Sequence, residues 1–246
     1  MTTVLKLGGS VITHKEHERR LATDRLAVVA RTLERHAEAD LVVIIGGGSF
    51  GHPPAERHGI STDIGSTDPG AIAEVHAAML DLVTSVVDHL IDAGVSAIAF
   101  HPLSFARRDG TQLTLSLDAV AAAISEGFVP VIHGDGVLTT GEGVTILSGD
   151  DLVVQCAQEF DAVRVGLCTD VPGVLDAEGA VIERITGYNE VASMLGDSEM
   201  TDVTGGMAAK VETLLSLKRQ ASVFDLDGLD RFLDGGQPGT SIVPTD

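Results

Sequence analysis

The chain has 246 residues, enough for one large α/β domain or two small ones with a proper core. Hydrophobic residues make up 44% of it, yet no run approaches the roughly 20 uninterrupted apolar residues of a membrane helix. A formal net charge of −20 argues against nucleic acid or an anionic membrane surface as a partner. The composition therefore predicts a globular chain with neither of these partners.

Apolar, β-branched runs recur along the chain and predict strands. They cover 4–7, 41–45, 95–100, 129–133 and 162–168. Apolar residues at helical spacing predict helices between and after these strands. The first predicted helix begins after Thr23-Asp24. The others cover 71–91, 118–126, 151–159 and 207–218. The stretch 137–147 predicts a hairpin with Gly141 and Gly143 at its turn.

Continuously apolar strands that alternate with helices predict an α/β fold with a mostly parallel open sheet. Helices on both faces of that sheet make a three-layer α/β/α sandwich. The sequence has no internal repeat and no low-complexity linker. We therefore expect a single domain over 1–246, whose two halves meet near residue 150.

Lysine is scarce in this chain, which holds 12 arginines and only Lys6, Lys15, Lys210 and Lys218. An acidic surface with so little lysine is typical of a salt-adapted cytoplasmic protein, although an ordinary acidic protein can share this composition. The first three lysines lie in or beside glycine-rich segments, where a compact charge on a flexible stem suits a moving phosphoryl group. We interpret Lys218, which has no motif around it, as a surface residue.

The cysteines and the N-terminal residues both bear on the cellular location of the protein. MTTVLKLGGS predicts a strand and a glycine loop, without the basic segment and apolar core of a signal peptide. Cys156 and Cys168 lie in apolar surroundings, which predicts buried free thiols in a reducing cytosol. We therefore expect a cytoplasmic location.

Four glycine-rich segments share one predicted order of strand, glycines and helix start: KLGGS at 6–10, GGGSFGH at 46–52, HGD at 133–135 and TGG at 204–206. Ligands of open α/β sheets bind at the carboxyl ends of the strands. Glycines let backbone N–H groups approach an anion closely, and the N-terminus of a following helix favours negative charge. None of the segments matches the P-loop or dinucleotide fingerprint. The pattern predicts a phosphate site of another kind.

These segments occur in one order with SGDD at 148–151, TDVPGV at 169–174 and DVTGGMAAK at 202–210. Over nearly the whole chain this order resembles the amino-acid-kinase superfamily, and most closely its archaeal isopentenyl phosphate kinases. The histidine of SFGH, His52, is shared by those kinases and the similar fosfomycin kinases. The resemblance implies the amino-acid-kinase fold, ATP and Mg²⁺ as cofactors, and a homodimer.

The activity implied by the resemblance is ATP-dependent phosphorylation of isopentenyl phosphate to isopentenyl diphosphate, a step of an archaeal-type mevalonate route. A kinase of another small phosphate or phosphonate, such as fosfomycin, remains open. A catalytically silent nucleotide sensor of the same fold is a third reading, and the presence of Lys6, Asp151 and Lys210 together counts against it.

The resemblance also assigns the catalytic and nucleotide residues. Lys6 is expected across the transferring phosphate, with Lys15 nearby and Lys210 opposite. Asp150 and Asp151 could simply cap a helix, but we expect one of them, with Asp151 favoured, to hold Lys6 and Lys210. The residues expected around ATP, besides these lysines, are Gly8, Gly9, Ser10, Gly47, Asp170, Gly173, Thr204, Gly205 and Gly206. Mg²⁺ is expected on phosphate oxygens, without a dedicated set of protein ligands.

The acceptor is expected beside His52, because an imidazole donates a hydrogen bond when neutral and becomes cationic beside a phosphate. The backbone of Gly46, Gly47 and Gly51 is expected to cradle the acceptor's phosphate, with Gly134 on the other side. Its apolar tail is expected against one face of the long helix and against the hairpin, although such a stripe is more often core. The residues are Ile72, Val75, His76, Met79 and Ile146. Pro53 and Pro54 are expected to form a rigid exit from the loop.

Overall fold

The computed structural model describes residues 1–36, 40–188, 206–217 and 219–243. The strands are β1 Thr3–Leu7, β2 Leu41–Ile45, β3 Ala97–Phe100, β4 Ala106–Asp109, β5 Gln112–Leu115, β6 Val129–His133, β7 Asp135–Thr139, β8 Gly143–Leu147, β9 Arg164–Cys168, β10 Arg184–Ile185, β11 Ala221–Phe224 and β12 Thr240–Ile242. The helices are α1 Gly9–Ile12, α2 Thr23–Arg35, α3 Gly48–Arg57, α4 Pro69–Asp92, α5 Asp118–Ser125, α6 Gly149–Glu159, α7 Met207–Ser216 and α8 Leu229–Leu233.

The central sheet has the order β10-β12-β11-β9-β1-β2-β6-β3. Its strands are parallel except at the β11–β12 pair, where the direction reverses. The predicted three-layer α/β/α sandwich with a mostly parallel sheet is confirmed. Because β9, β1, β2 and β6 are neighbours with the same direction, the segments that follow them meet at one edge of the sheet. The order of the strands thus brings KLGGS, GGGSFGH, HGD and TDVPGV side by side.

Alternation along the strands sends side chains to two separate cores. Leu5 and Leu7 of β1 pack with α2, α4 and α8, while Val4 packs on the other face with α5, α6 and α7. Lys6 shares the face of Val4 and is 7% exposed. The same alternation that builds the core therefore directs the last polar residue of β1 towards the N-terminus of α6.

A second, smaller sheet of order β5-β4-β7-β8 adjoins the central one. The predicted hairpin is confirmed as β7–β8, and Gly141 and Gly143 both have φ of +82° at its turn. The β4–β5 hairpin was not predicted from the sequence, because ARRD and QLTL are short and partly polar. β11 and β12 were not predicted either, because they have only four and three residues. HGD is a one-residue connection between β6 and β7, which corrects the expectation that each glycine segment precedes a helix.

GGGSFGH is also more regular than expected. The helix α3 begins at Gly48 and includes Pro53 and Pro54. These prolines are therefore inside a helix, which corrects their assignment to a loop exit. Proline lacks the N–H that would bond one turn back, so α3 tolerates a gap in its hydrogen-bond ladder at this point.

The long helix α4 is, within the described residues, the one helix long and apolar enough to cross a membrane by length and composition alone. One of its faces is packed into the core through residues such as Leu82 and Val86, which have no exposed surface. Its other side carries Asp81, which pairs with Arg19 at 3.1 Å. The helix is accordingly the amphipathic core helix of the fold.

Candidate functional site

The two glycine loops at the carboxyl ends of β1 and β2 lie directly against each other. A Cβ added at Gly9 would overlap the backbone of Gly48, and one added at Gly48 would overlap the hydroxyl of Thr13. Gly48 also has a φ of +48°, a left-handed conformation that disfavours other residues. The Thr13 hydroxyl donates to the Gly9 carbonyl at 2.7 Å and accepts from the Ser49 N–H at 3.0 Å. Glycine is needed here because the backbones of the two loops are too close together to leave space for side chains.

Several glycines act through the missing side chain and not through a free N–H. Hydrogen bonds occupy four of the N–H groups: Gly8 to Cys168 at 2.8 Å, Gly46 to Leu7 at 3.0 Å, Gly51 to Gly47 at 2.9 Å and Gly134 to Ile45 at 3.2 Å. The N–H groups of Gly46 and Gly51, which were expected to cradle a phosphate, and that of Gly134 on the other side therefore already have acceptors. These glycines leave space: a Cβ on Gly51 would lie 2.6 Å from the Met79 sulfur.

A buried ion pair lies at the floor of the cleft. Lys6 Nζ is 2.7 Å from Asp150 Oδ1, and the two side chains are 9% and 10% exposed. Gly149 makes room for this contact, since a Cβ there would lie 3.1 Å from Lys6 Cε. Within the described part of the chain, Asp150 Oδ2 is buried without a hydrogen-bond partner. The cleft thus contains a lysine fixed by one carboxylate oxygen, with the second oxygen still able to accept.

Asp151 has a different role from the one expected. Its carboxylate accepts from the Ser148 N–H at 3.3 Å, while its own N–H donates to the Ser148 hydroxyl at 3.1 Å, which is a capping box. It also pairs with Arg108 at 3.2 Å. The expectation that Asp151 holds Lys6 is therefore wrong. At the N-terminus of α6 the third residue, Asp151, bonds back to the cap, and the second, Asp150, reaches Lys6.

Three of the four lysines line this one cleft, which has a volume of about 480 Å³. Lys6 comes from β1, Lys210 from α7 and Lys15 from the loop after α1. Lys15 Nζ is 3.1 Å from Asp170 Oδ2, and this ion pair is largely exposed. Partial burial alone would raise the pKa of Asp170, but the hydrogen bond and charge of Lys15, with a bond from Ser10, hold it below its usual value. Positive charge is gathered here in a strongly acidic chain.

One end of the cleft is apolar. Val75 and Met79 of α4 and Ile146 of β8 line it together with His52, and their role towards an acceptor's tail stays a prediction. Ile72 does not line it, which corrects the expected stripe. Ala71, Val75 and Met79 are buried residues of α4, whereas Ile72 is only half-buried at the border of the same face.

Most of the other predicted residues also line the cleft: Gly8, Gly9, Ser10, Gly46, Gly47, Gly51, Gly134, Asp170 and Gly206. Gly173 does not. A Cβ there would lie 2.7 Å from both Thr240 and Val181, so this glycine serves close packing behind the cleft. Thr204, Gly205 and Lys218 lie outside the described residues.

A partly buried polar network that reaches the cleft through Asp135 was not predicted. His76 Nδ1 lies 2.7 Å from Asp135 Oδ2, and His101 Nδ1 lies 2.9 Å from His133 Nε2. Burial raises the pKa of Asp135 to about 6, although the charge of His76 acts to lower it. Burial also lowers the pKa of His133 to about 4. The signal in the sequence was the acid of HGD, which directly follows a strand end.

A conserved-sequence model described as the amino acid kinase family matches residues 1–223. The fold and the lysine-lined cleft therefore define a phosphoryl-transfer enzyme of the kinase class. The isopentenyl phosphate kinase of Haloferax volcanii is 49% identical over 241 residues and 97% of each chain. The enzyme of the same name from Methanocaldococcus jannaschii is 31% identical over 258 residues and 98% of each chain.

Solved structures give the same result. An isopentenyl phosphate kinase superposes with a TM-score of 0.86 at 26% identity, over 99% of this chain and 100% of that one. The Thermoplasma acidophilum isopentenyl phosphate kinase in a product complex has a TM-score of 0.80 at 26% identity, over 98% and 100%. The chain belongs to the amino acid kinase family and, within it, to the isopentenyl phosphate kinases. The H. volcanii relative comes from a halophile, in keeping with the acidic, lysine-poor composition.

Proposed function

We propose that this chain transfers the γ-phosphoryl group of ATP to the phosphate of isopentenyl phosphate, forming isopentenyl diphosphate and ADP. The observation that carries the proposal is the composition of the cleft, which is lined by three lysines, by His52 and by the apolar Val75, Met79 and Ile146. A monophosphate with a prenyl tail needs both surfaces. The named relatives support the same acceptor.

The reaction is an in-line displacement. An oxygen of the acceptor's phosphate forms a bond to the γ-phosphorus, while the bond from that phosphorus to the bridging oxygen breaks and ADP leaves with the electron pair. Such a step leaves positioning and charge neutralisation to the protein. We assign neutralisation to Lys6, fixed by Asp150, together with Lys15 and Lys210. His52 and the space left by Gly47 and Gly51 receive the acceptor's phosphate.

ATP is assigned to the side of the cleft nearer residues 151–246 and the acceptor to the side nearer 1–150. Gly9 and Ser10 begin α1, and Gly206 precedes the α7 helix that carries Lys210. Within the described residues no cluster of three metal-ligating side chains is found. Asp150 does not line the cleft and its Oδ2 is buried, so we expect Mg²⁺ mainly on the substrate phosphates, which this ion commonly bridges. Mg²⁺ bound there would neutralise charge on the transferring group.

We also infer a cytoplasmic homodimer. The edge strand β3 carries Ile98, which is 39% exposed, and Phe128, which is 45% exposed, directly precedes the neighbouring β6. Apolar side chains at an uncovered sheet edge favour pairing with a second chain. Sedimentation equilibrium in high salt measures the mass. A monomer at all protein concentrations would contradict the inference.

The activity test uses the purified protein with Mg-ATP in high salt. ADP release is followed with isopentenyl phosphate, fosfomycin, UMP or N-acetylglutamate as acceptor. We expect turnover with isopentenyl phosphate. Turnover of another acceptor without turnover of isopentenyl phosphate would overturn the proposal.

Two variants test the assigned roles. Lys6→Ala should lower kcat by about 10²- to 10³-fold with the fold intact, since a charge on the transferring group is lost. His52→Ala should raise the acceptor KM and lower kcat. His89→Ala is the matched control, because His89 lies near the end of α4 and bonds to the Ser85 carbonyl at 2.7 Å. Full activity in Lys6→Ala would refute the catalytic assignment.

A further inference from the structure

Arg108 of β4 joins three segments of the molecule, and its side chain is only 13% exposed. Its Nη1 donates to the Thr62 carbonyl at 3.0 Å, the Thr145 hydroxyl at 3.1 Å and the Ile146 carbonyl at 3.3 Å. Its Nη2 donates to Asp151 Oδ2 at 3.2 Å. One guanidinium therefore contacts the loop before α4, the strand β8 and the first turn of α6.

Two of these segments adjoin the cleft. Ile146 of β8 is part of the apolar wall at the acceptor end. The loop before α4 is already bonded to β8, since the Ile146 N–H donates to the Ser61 carbonyl at 2.8 Å. Asp151 follows Asp150, whose carboxylate holds Lys6. Arg108 thus links the apolar wall to the helix turn that fixes the phosphoryl-transfer lysine.

The link depends on the shape of arginine. The guanidinium is planar and presents its N–H groups in a fixed fork, so two nitrogens reach opposite sides at once. An ammonium group carries its three donors on a single atom, so a lysine does not reproduce bonds made from two separate nitrogens. Ser148 already joins β8 to α6 along the chain, and the guanidinium adds a second, rigid connection between Ile146 and Asp151.

We propose that Arg108 is a positioning residue for phosphoryl transfer: by tying Ile146 to Asp151, it sets the distance between the acceptor's apolar wall and the Lys6–Asp150 pair. This inference rests on the proposed function. It assigns to Arg108 an effect on where the acceptor's phosphate lies, while ATP is bound by other residues. The expected signature is a change in acceptor KM and kcat without a change in ATP binding.

The test compares Arg108→Met and Arg108→Lys with Arg107→Met. Arg107 is the preceding residue of the same strand, is exposed, and gives the same charge change as Arg108→Met. For each variant, kcat and both KM values are measured in high salt, and ATP affinity is measured by calorimetry without acceptor. Unfolding midpoints identify any loss of folded protein.

We expect Arg108→Met to lower kcat/KM for the acceptor by about tenfold to a hundredfold, since small displacements of reacting groups have such effects. ATP affinity should change by less than about twofold, and Arg108→Lys should recover little. Asp151→Asn, which leaves the other Arg108 bonds in place, should act in the same direction. Combined with Arg108→Met it should add little, because both changes break the same link.

Three results would overturn the proposal: unchanged acceptor kinetics in Arg108→Met, an equal loss in Arg107→Met, or an equal loss of ATP affinity. If Arg108→Met fails to fold, the acceptor kinetics and ATP affinity of Arg108→Lys and Asp151→Asn are judged by the same criteria. These outcomes are distinct from failure of the proposed function. In that case the unaltered protein itself would not turn over isopentenyl phosphate.

Discussion

His133 is fully buried at the end of β6, and both of its ring nitrogens have partners. Nδ1 is 3.0 Å from the Gly134 carbonyl and Nε2 is 2.9 Å from His101 Nδ1. With Nδ1 donating to the carbonyl, Nε2 accepts from His101, and this neutral form satisfies the whole chain of bonds. Burial disfavours the charged ring and lowers its pKa to about 4. The neutral form is therefore part of the native structure.

This ring predicts a loss of stability in acid. The unfolded chain binds a proton near the ordinary pKa of 6.5 and the native chain only near 4, so stability present above 6.5 is lost as the pH falls through that range. The effect reaches about 3 kcal/mol. Denaturant unfolding between pH 7.5 and 4 at constant salt measures it. His133→Gln should be less stable at pH 7.5 and should have a shallower dependence on pH.

Asp135 acts in the opposite direction over part of this range. Its pKa is raised to about 6, so its contribution is present below the ordinary value of 3.8 and is lost as the pH rises through 6. The difference between the unaltered protein and His133→Gln isolates the histidine. His89→Gln serves as a control, since its ring is on the outer part of α4. The same pH slope in the unaltered protein and His133→Gln would contradict the argument.

Individual residues of the site could be predicted from the sequence where few residue types can perform the chemistry. The scarcity of lysine picked out Lys6, Lys15 and Lys210, and the structure brings all three to one cleft. The choice between Asp150 and Asp151 could not be made, because both are acidic and adjacent. The direction of each side chain depends on the cap geometry of α6. Arg108 had no signal at all, since its partners come from three segments distant in sequence.

At the scale of elements, the contact between the β1 and β2 loops explains the density of glycine. Two backbones approach so closely that Gly9 and Gly48 have no space for side chains. This contact holds α1 against α3, and with it the two sides of the cleft. The loops therefore act as one unit in which each fixes the other.

Replacing Gly9 by alanine should disturb both loops. The added Cβ overlaps backbone atoms of Gly48, so the loops must separate, at a cost of about 1–3 kcal/mol for overpacking. Gly127→Ala is the control: its φ of +81° costs about 1–2 kcal/mol, but the Cβ meets no atom within 4 Å. Thermal unfolding and kcat are measured for both. We expect Gly9→Ala to lose activity per folded molecule and Gly127→Ala to keep it. Equal activity in the two would contradict the role of the contact.

Elements with a strong apolar period could be predicted, and elements defined by their partners could not. β2 and β6 are continuous apolar runs, and their predicted bounds match the structure. β4 consists of ARRD, and its strand character comes from hydrogen bonds to β5 and β7. α3 contains glycine and proline that disfavour a helix, and it is held by packing on α4. In β4 and α3, tertiary contacts therefore outweigh the local secondary-structure propensity of the sequence.

At the scale of the whole molecule, the glycine segments meet because their strands are neighbours in the sheet. The sequence supplied the segments and the parallel direction of the strands. It did not supply the strand order, which decides that β9, β1, β2 and β6 lie together. The resemblance to a family implied that these segments form one site, and the strand order in the structure explains how they meet.

The net charge of −20 predicts a dependence on salt. Carboxylates spread over the surface repel one another in dilute buffer, and this repulsion destabilises the compact state. The Debye length falls from about 30 Å at 0.01 M salt to about 3 Å at 1 M, so added KCl should screen the repulsion. We expect both the unfolding midpoint and kcat to rise with KCl, with most of the rise complete near 1 M.

Screening can be distinguished from general stabilisation by excluded solutes. Sucrose strengthens burial without screening charge. In dilute buffer it should therefore raise the unfolding midpoint by less than KCl does. A series of KCl concentrations at fixed sucrose, followed by near-ultraviolet circular dichroism and ADP release, separates the two. If sucrose alone restores full stability and activity in dilute buffer, charge repulsion is not the cause. If KCl restores them and sucrose does not, the acidic surface requires salt to keep the cleft assembled.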